Sequence, residues 1–509
     1  MKTALISVYD KTDIADFANG LIKQGWQIIS TGGTAEFLRK AKVPVQDVRK
    51  ITGFPEILGG RVKTLHPILY GGILFRRNLK SDKEDCDQLH INPIDMIVNN
   101  LYPFEAALKK DKEDHAAIIE NIDIGGVSMI RAAAKNYADV YTVTDPSDYA
   151  AVLAILQKDD QAQMAMRKKL AAKAFSYTAY YDSIISNYFN ELAGETFPER
   201  ISFTYKKTQA LRYGENPHQQ AALYQKPDLS EECMAEFKQL HGKELSYNNL
   251  IDTYAAVKVL KEFDEPTVVA IKHTNPCGIA SASTLSEAFA KTHEADPESI
   301  FGGIISVNRE MDSKTADAIS KIFIEIVIAP SFSEDAITLL TQKKNIRLLE
   351  MPKINSFKFE PYSSRQVLNG VLIQEADSIV LKDDLTFASK RKPSSEEMDD
   401  LLFAWKAVKN INSNAIVLAK NKQTLAIGQG EVKRFWSVEK SIARSIHSPK
   451  GAVLASDGFF FEDTIQHLAE HGVTAVIQPG GSIKDPKVIE LADQFNIALV
   501  ITNIRHFKH

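Results

Sequence analysis

At 509 residues the chain is too long for one ordinary hydrophobic core and points to two to four domains. Apolar residues at 44% and charged residues at 25% are ordinary for a soluble globular protein, which at this length needs no disulfide or metal staple. The 61 basic against 65 acidic residues leave a net charge of −4, which argues against a coat for nucleic acid or for an anionic membrane. The three cysteines, Cys86, Cys233 and Cys277, are odd in number and far apart, so a disulfide framework is excluded and a reducing, cytoplasmic setting is expected.

Along the chain, residues 3–8 read as a buried strand, too short an apolar run for a signal peptide. Ile14, Phe17, Ala18, Leu21 and Ile22 then recur at helical spacing behind an Asp10/Thr12 start. Residues 26–30, 95–101 and 139–144 read as further strands, with a helix over about 127–136, the pattern of a mostly parallel sheet wrapped by helices. A long helix is predicted over about 164–190. Its stripe of Leu170, Ala174, Tyr177, Tyr181, Ile184 and Tyr188 reads as core packing rather than as a cofactor box. Residues 193–208 break the pattern and mark the domain boundary. A larger α/β region follows, with strands expected at 267–271, 303–307, 325–329, 415–419, 451–455, 474–478 and 498–502. The domains are therefore expected at 1–195 and 200–509, the second divided again at about 361–395.

Several strings carry chemistry. Ser30-Thr31-Gly32-Gly33-Thr34, between a strand and a helix, reads equally as a phosphate cradle or as a tight turn. Gly59-Gly60-Arg61-Val62-Lys63-Thr64-Leu65-His66-Pro67 gathers two cations that share a face if the segment is extended; an ordinary exposed loop is the plainer alternative. Tyr102 follows a predicted strand, where open α/β sheets place their ligands. Asp123 precedes a glycine pair, and Lys135 ends a helix of small residues. In the second region, Leu211-Arg212-Tyr213-Gly214-Glu215-Asn216 is dense in polar groups, and Lys272-His273-Thr274-Asn275-Pro276-Cys277-Gly278 follows an apolar strand directly. A histidine beside an ammonium has its neutral form favoured and suits a general base; a structural strand-end histidine is the alternative. Pro276-Cys277 is half of a zinc-deaminase signature, but Ala280 stands where the second cysteine belongs and no H-x-E partner matches, so zinc deamination is excluded. Further loops follow at Asn412-Ser413-Asn414, 428–431, 456–459, 478–482 and the terminal Arg505-His506-Phe507-Lys508-His509.

In this order, the strings at 59–67, 122–126 with 131–136, 211–219, 272–278 and 478–482 resemble the bifunctional AICAR formyltransferase/IMP cyclohydrolase family of purine biosynthesis. The resemblance covers essentially the whole chain. It implies an α/β fold with a methylglyoxal-synthase-like N-terminal domain and a C-terminal region of two cytidine-deaminase-like subdomains. It also implies formyl transfer from 10-formyltetrahydrofolate, as co-substrate, to aminoimidazole carboxamide ribonucleotide (AICAR), then dehydrative closure to IMP. No metal or nicotinamide is implied. The implied assembly is a homodimer with formyltransferase sites at the interface. By the same resemblance Lys272, His273 and Asn414 catalyse formyl transfer, and Arg212, Tyr213, Gly302, Glu325, Arg434, Phe459, Asp463, Ser482 and Arg505 bind nucleotide or folate. Lys63, Tyr102, Asp123 and Lys135 are implied to catalyse cyclisation, with Ser7, Lys11, Thr31, Gly32, Gly33, Thr34, Arg61 and Thr64 holding the phosphate. Two segments depart from the family pattern. Its G-A-G-Q-x-S-R stands here as Gly428-Gln429-Gly430-Glu431-Val432-Lys433-Arg434, and its F-F-P-F-R-D as Phe459-Phe460-Phe461-Glu462-Asp463. The rivals are a cyclohydrolase with a drifted second half, and a non-catalytic purine-nucleotide-binding regulatory protein.

Overall fold

The β-rich apolar runs near the start of the chain pair in parallel, because each is followed by an amphipathic helix that returns the chain to the same end. In the computed structural model, which describes residues 1–227, 237–382 and 385–509, the chain forms two compact units, the first of residues 1–207 with 224–227 and the second of 208–223 with the described residues from 237 on. Cys233 lies outside the described residues.

In the first unit the sheet order is Gln46–Asp47, Trp26–Ser30, Lys2–Val8, Met96–Asn100, Tyr141–Val143, all parallel. The order reverses between Lys2–Val8 and Met96–Asn100. At such a switch point the following loops part to opposite faces and leave a crevice at the strands' carboxyl ends. Helix Gly125–Lys135 covers one face, and the 33-residue helix Asp160–Leu192 lies against it. Asp159 starts the long helix by accepting from the Ala162 N–H, and no proline or glycine interrupts it. Leu170 joins the core beneath the sheet, while Ala174, Tyr181, Ile184 and Tyr188 pack against Leu101, Phe104, Ile118 and Ile130. The apolar stripe read from the sequence is thus a core stripe, from which the tyrosine hydroxyls reach into the loops.

In the second unit, among the described residues, twelve strands form one sheet whose order is symmetric about its centre. One half contains Lys238–His241, helix Tyr247–Leu260, the hairpin Thr267–Lys272/Asn275–Ser281, then Ile304–Val307, Ile326–Ala329 and Arg347–Glu350. The other contains Thr386–Phe387, helix Ser395–Val408, the hairpin Ile416–Lys420/Gln423–Gly428, then Val453–Ser456, Ala475–Gln478 and Ala498–Ile501. Within each half the pairings are the same, parallel and antiparallel alike, and the halves join antiparallel at Asn275–Ser281 and Gln423–Gly428. The unit is an internal duplication. Ser246 and Ser394 start their helices with the same capping box, and the second strand of each hairpin carries one extra residue, Cys277 and Leu425, against its partner. The two helices share one core on one face, where Val257, Leu260, Ala404 and Trp405 are buried together.

The sequence expectation placed the buried strands correctly and missed their hairpin partners. Asn275–Ser281 begins with Asn-Pro, which reads as a break, yet Pro276 only gives up a donor in a strand that starts there.

Each hairpin has a two-residue turn in left-handed conformation, His273–Thr274 and Asn421–Lys422. The turn N–H groups point off the ladder and find a helix carboxylate. Asp252 accepts from Thr274 at 2.6 Å, and Asp400 accepts from Asn421 at 2.8 Å and from Lys422 at 2.6 Å. Replacing Asp400 by alanine strands two donors, and a buried donor without a partner costs about 1–3 kcal/mol. Asp400→Ala is therefore expected to lower the urea midpoint of unfolding without changing its slope. An unchanged midpoint would show that solvent satisfies the turn.

Candidate active sites

The first site lies at the switch point. Ser7, near the end of its strand, meets the Thr31 hydroxyl at 3.0 Å. Thr31 precedes helix Gly32–Lys40 with an extended backbone, and its hydroxyl does not cap that helix. Gly32 and Gly33 add no side chain of their own at the helix N-terminus, as an approaching anion requires, although the Glu56 carboxylate lies beside Gly32. Gly32 also takes φ +40°, which a residue with a Cβ adopts only with strain. Thr34 is committed elsewhere: its hydroxyl bonds both the N–H and the C=O of Val8. It ties helix to strand and has little left for a ligand.

The Lys63 ammonium lies 3.3 Å from the Tyr102 hydroxyl, and Tyr102 stands at the carboxyl end of the neighbouring strand. Asp123 sits behind them. Its carboxylate accepts from Gly126 at 2.7 Å and from the Tyr102 N–H, which joins the turn before helix Gly125–Lys135 to the loop that carries Tyr102. Burial pushes its carboxyl above the ordinary range, against the opposing pull of those N–H groups and Lys63. Glycine is required at 126, where a Cβ would lie 2.5 Å from an Asp123 oxygen. Thr64 is buried beside Gly125. Arg61 is exposed and paired with Glu120, and the Lys11 ammonium donates to the Tyr9 carbonyl. Lys135 is not brought to this cluster. It is exposed at the far end of an eleven-residue helix whose start carries Asp123, about 15 Å away at roughly 1.5 Å per residue.

The second site is read from strand register. Lys272 ends one strand, Gly302 stands two residues before a second and Glu325 one residue before a third, and all three lie at one edge of the twelve-stranded sheet. Because the halves meet antiparallel, that edge also takes the start of Ile416–Lys420 and the ends of Gln423–Gly428, Val453–Ser456, Ala475–Gln478 and Ala498–Ile501. Asn414, Arg434, Phe459, Ser482 and Arg505 follow or precede those ends. His273 projects from the turn at this edge and is exposed. Lys272 reaches the Phe301 carbonyl at 2.8 Å. Two strand spacings, about 10 Å, separate the His273 hairpin from the strand that Asn414 precedes.

Asn414 is held at both ends. Its carbonyl oxygen accepts from Arg434 at 2.7 Å, and its amide nitrogen donates to the Glu431 carbonyl at 2.8 Å, which leaves one amide hydrogen free. Arg434 is fixed in turn by Asp457, fully buried, whose other oxygen takes the Ser413 hydroxyl. The C-terminal residues close this end: Lys508 and Ser413 exchange main-chain and hydroxyl bonds, and the Arg505 guanidinium lies over Phe459 and Phe507. Asp463 pairs with Lys433 at 3.7 Å, and the Ser482 hydroxyl accepts from Lys484. Glu325 accepts from Asn249 at 3.1 Å and faces Arg347. Arg212 stacks on its own neighbour, Tyr213. Burial pushes the half-buried Cys277 thiol up to about 12, which leaves it inert as a nucleophile.

Sequence reasoning missed Asp252 and Asp457 as site residues, and Asn99, which bonds the Ser7 carbonyl at 2.7 Å from beside Asp123. Position relative to a strand end could have singled out Asn99 and Asp457, whereas Asp252 lies inside helix Tyr247–Leu260 and carries no local signal. Asp457→Ala leaves the Arg434 guanidinium buried without its counter-charge, and breaking a buried pair costs about 3–5 kcal/mol. A fall of that size in unfolding free energy is expected by urea titration; a change below about 1 kcal/mol would mean that the pair is solvated.

A doubly wound domain with a polar cluster at its switch point, joined to a duplicated α/β unit with a separate polar edge, defines a protein with two sites. Residues 133–444 match the family described as AICARFT/IMPCHase bienzyme, and residues 13–128 match the MGS-like domain. The protein named Bifunctional purine biosynthesis protein PurH of Acetivibrio thermocellus is 51% identical over 100% of both chains, and that of Listeria monocytogenes serovar 1/2a is 50% identical over 100% of both. The solved chain titled "Crystal structure of ForH" is 36% identical, covers 37% of this chain and 98% of its own, and has a TM-score of 0.33. The chain belongs to the AICARFT/IMPCHase bienzyme family, with an MGS-like N-terminal domain.

Proposed function

We propose that the chain performs the last two steps of IMP synthesis, formyl transfer to AICAR at the edge of the duplicated unit and cyclisation at the switch point of the first. The observation that carries this is the presence, in a chain that matches the bifunctional relatives over its full length, of two separate polar sites with different chemistry.

In formyl transfer, the AICAR amine attacks the formyl carbon of 10-formyltetrahydrofolate, the new C–N bond forms, and the bond to the folate nitrogen breaks. The amine is conjugated to a ring and a carboxamide, so it must lose a proton as it attacks. His273 accepts that proton and returns one to the departing folate nitrogen, and Lys272 stabilises developing negative charge. The free amide hydrogen of Asn414 faces the formyl oxygen. Arg212, Tyr213, Arg434 and Arg505 hold nucleotide, and Gly302, Glu325, Phe459, Asp463 and Ser482 complete the nucleotide and folate wall. Glu325 and Arg505 stand eight strand spacings apart, roughly 38 Å along a flat sheet, too far for one pair of ligands. A homodimer that brings the two ends of the edge together across its interface resolves that distance.

In cyclisation, the carboxamide nitrogen attacks the formyl carbonyl, the ring closes and water leaves. The step is intramolecular, so positioning supplies much of the acceleration. Ser7, Lys11, Thr31, Gly32, Gly33, Arg61 and Thr64 hold the phosphate, and Thr34 anchors the loop. Asp123 takes the carboxamide proton, and Lys63 with Tyr102 stabilises the oxyanion. Lys135 contributes to this chemistry only from outside the cluster of Asp123, Tyr102 and Lys63. Both reactions take place in the cytoplasm. Among the described residues no helix is long and apolar enough to cross a membrane.

With AICAR and 10-formyltetrahydrofolate the purified protein is expected to release tetrahydrofolate and form IMP, each followed separately. His273→Ala abolishes tetrahydrofolate release and spares cyclisation of supplied formyl-AICAR. Loss of both activities, or of neither, sinks the two-site assignment.

The raised Asp123 carboxyl gives cyclisation an acid limb. The carboxylate form is the active one, so the rate falls as pH drops through a value above the roughly 4 of a free aspartate. Asp123→Asn removes both the limb and most of the rate. A pH profile flat down to 4 excludes Asp123 as the base.

A further inference from the structure

Beyond the residues that touch substrate, the two loops that carry Tyr102 and Asp123 must be held still, and each is gripped by a tyrosine hydroxyl from the same helix. The N–H of Leu101, the residue before Tyr102, donates to the Tyr177 hydroxyl at 3.0 Å. The N–H of Asp123 donates to the Tyr181 hydroxyl at 2.8 Å, and that hydroxyl donates onward to the Asn121 carbonyl at 2.8 Å. Tyr181 thus spans the turn that enters helix Gly125–Lys135, as acceptor on one side of Ile122 and donor on the other. The two tyrosines are one helical turn apart, so their side chains share a face.

The surroundings make these bonds hard to replace with solvent. Leu101 and Tyr181 are nearly inaccessible, with 4% and 5% of their surfaces exposed, in the core that also holds Phe104, Ile130 and Ala174. A main-chain group freed there has no other partner in the loop. We infer that Tyr177 and Tyr181 are positioning residues for cyclisation, which set Tyr102 and Asp123 in register through the main chain of their loops.

Tyr188 supplies an internal control. It lies on the same face of the same helix and is packed in the same core, but its hydroxyl meets His115 at 2.7 Å, on a helix that carries no group assigned to the reaction. If the hydroxyls mattered only for helix packing, all three phenylalanine variants would behave alike.

The proposal rests on the cyclohydrolase reading of Asp123 and Tyr102, and the test separates the two. Tyr177→Phe, Tyr181→Phe and Tyr188→Phe are compared with Asp123→Asn as full-length proteins, by steady-state cyclisation of formyl-AICAR and by formyl transfer in the same preparations. A displacement near 1 Å costs on the order of 100-fold in rate, so Tyr181→Phe is expected to lower kcat about 10- to 100-fold with KM changed less than about threefold. Tyr177→Phe lowers kcat by a smaller factor. Tyr188→Phe stays within about twofold of the parent protein, and formyl transfer is unchanged in all three. A parental kcat in Tyr181→Phe, or an equal loss in Tyr188→Phe, overturns the proposal while Asp123→Asn remains inactive. Parental cyclisation in Asp123→Asn overturns the reading and the proposal together. Should Tyr181→Phe fail to fold, Tyr177→Phe carries the test: a parental kcat there overturns it.

Discussion

The main-chain N–H groups at the head of a β-hairpin point away from the ladder, and in the second unit a carboxylate on the preceding helix accepts them. Asp252 holds His273–Thr274 in this way and Asp400 holds Asn421–Lys422. The first half of the proposed formyltransferase edge depends on that bond. Thr274 is β-branched and takes φ +64°, and His273 takes φ +52°, in a region where a Cβ is disfavoured. The turn persists because Asp252 is anchored through helix Tyr247–Leu260 in the core shared by the two halves. The duplicate turn uses Asn421, which tolerates the left-handed region better, and has no histidine. Even the lysine arm recurs: Lys420 reaches the Lys450 carbonyl at 3.0 Å as Lys272 reaches that of Phe301 at 2.8 Å. The aspartate and the lysine contact are therefore properties of the fold, and the imidazole is what distinguishes the copy with a site.

Antiparallel joining of the halves has a further consequence. It sends the two turns to opposite edges of the sheet, so each edge combines the turn of one half with strand ends of the other. The edge with His273 receives the turn of one half and, from the other, the start of Ile416–Lys420 preceded by Asn414 and the strand carboxyl ends that Arg434 and Phe459 follow. One half contributes His273, the proposed proton acceptor, and the other the groups that fix the Asn414 amide. By topology the two edges are equivalent, so the asymmetry comes from the residues they carry, His273 at one turn and Asn421 at the other.

How much of this was legible in the sequence follows from burial. Strands covered on both faces, such as residues 267–271 and 475–478, are unbroken apolar runs and were visible as such. Their hairpin partners were not, because Asn275–Ser281 and Gln423–Gly428 contain Pro, Gly, Thr and Gln where ladder position and bulges matter more than hydrophobicity. The duplication, implied by the family resemblance, was hidden from the residues themselves for a related reason. The two helices keep Ser246 and Ser394, Asp252 and Asp400, and Ala256 and Ala404 at matching positions, too sparse a set to stand out. That Lys272, His273 and Asn414 stand beside strand ends was legible because dense polar strings next to apolar runs mark such ends, whereas Asp123 stood out by the glycine pair that follows it. Asp457 was visible only as part of a loop, since nothing local reveals that its carboxylate turns inward to Arg434. The tyrosines of the long helix were correctly placed in the core, but periodicity reports the ring and is silent on the hydroxyl.

Near-neutral overall charge is compatible with anionic ligands because the cations are individually placed, and their ligand-free partners differ in strength. Arg61 and Glu120 form an exposed pair, a class of contact worth about 0–1 kcal/mol, so a phosphate can take over the guanidinium at little cost. Lys433 and Asp463 are also exposed and can part when the loop meets a ligand. Arg434 differs: it is nearly buried, Asp457 is wholly buried, and the same guanidinium fixes Asn414. A ligand that drew Arg434 away would leave a carboxylate unpaired in the core, so Arg434 meets an anion only with nitrogen atoms that Asp457 and Asn414 leave free. Burial thus divides the cations into those that exchange partners on binding and those that build the site, a division that total charge cannot express.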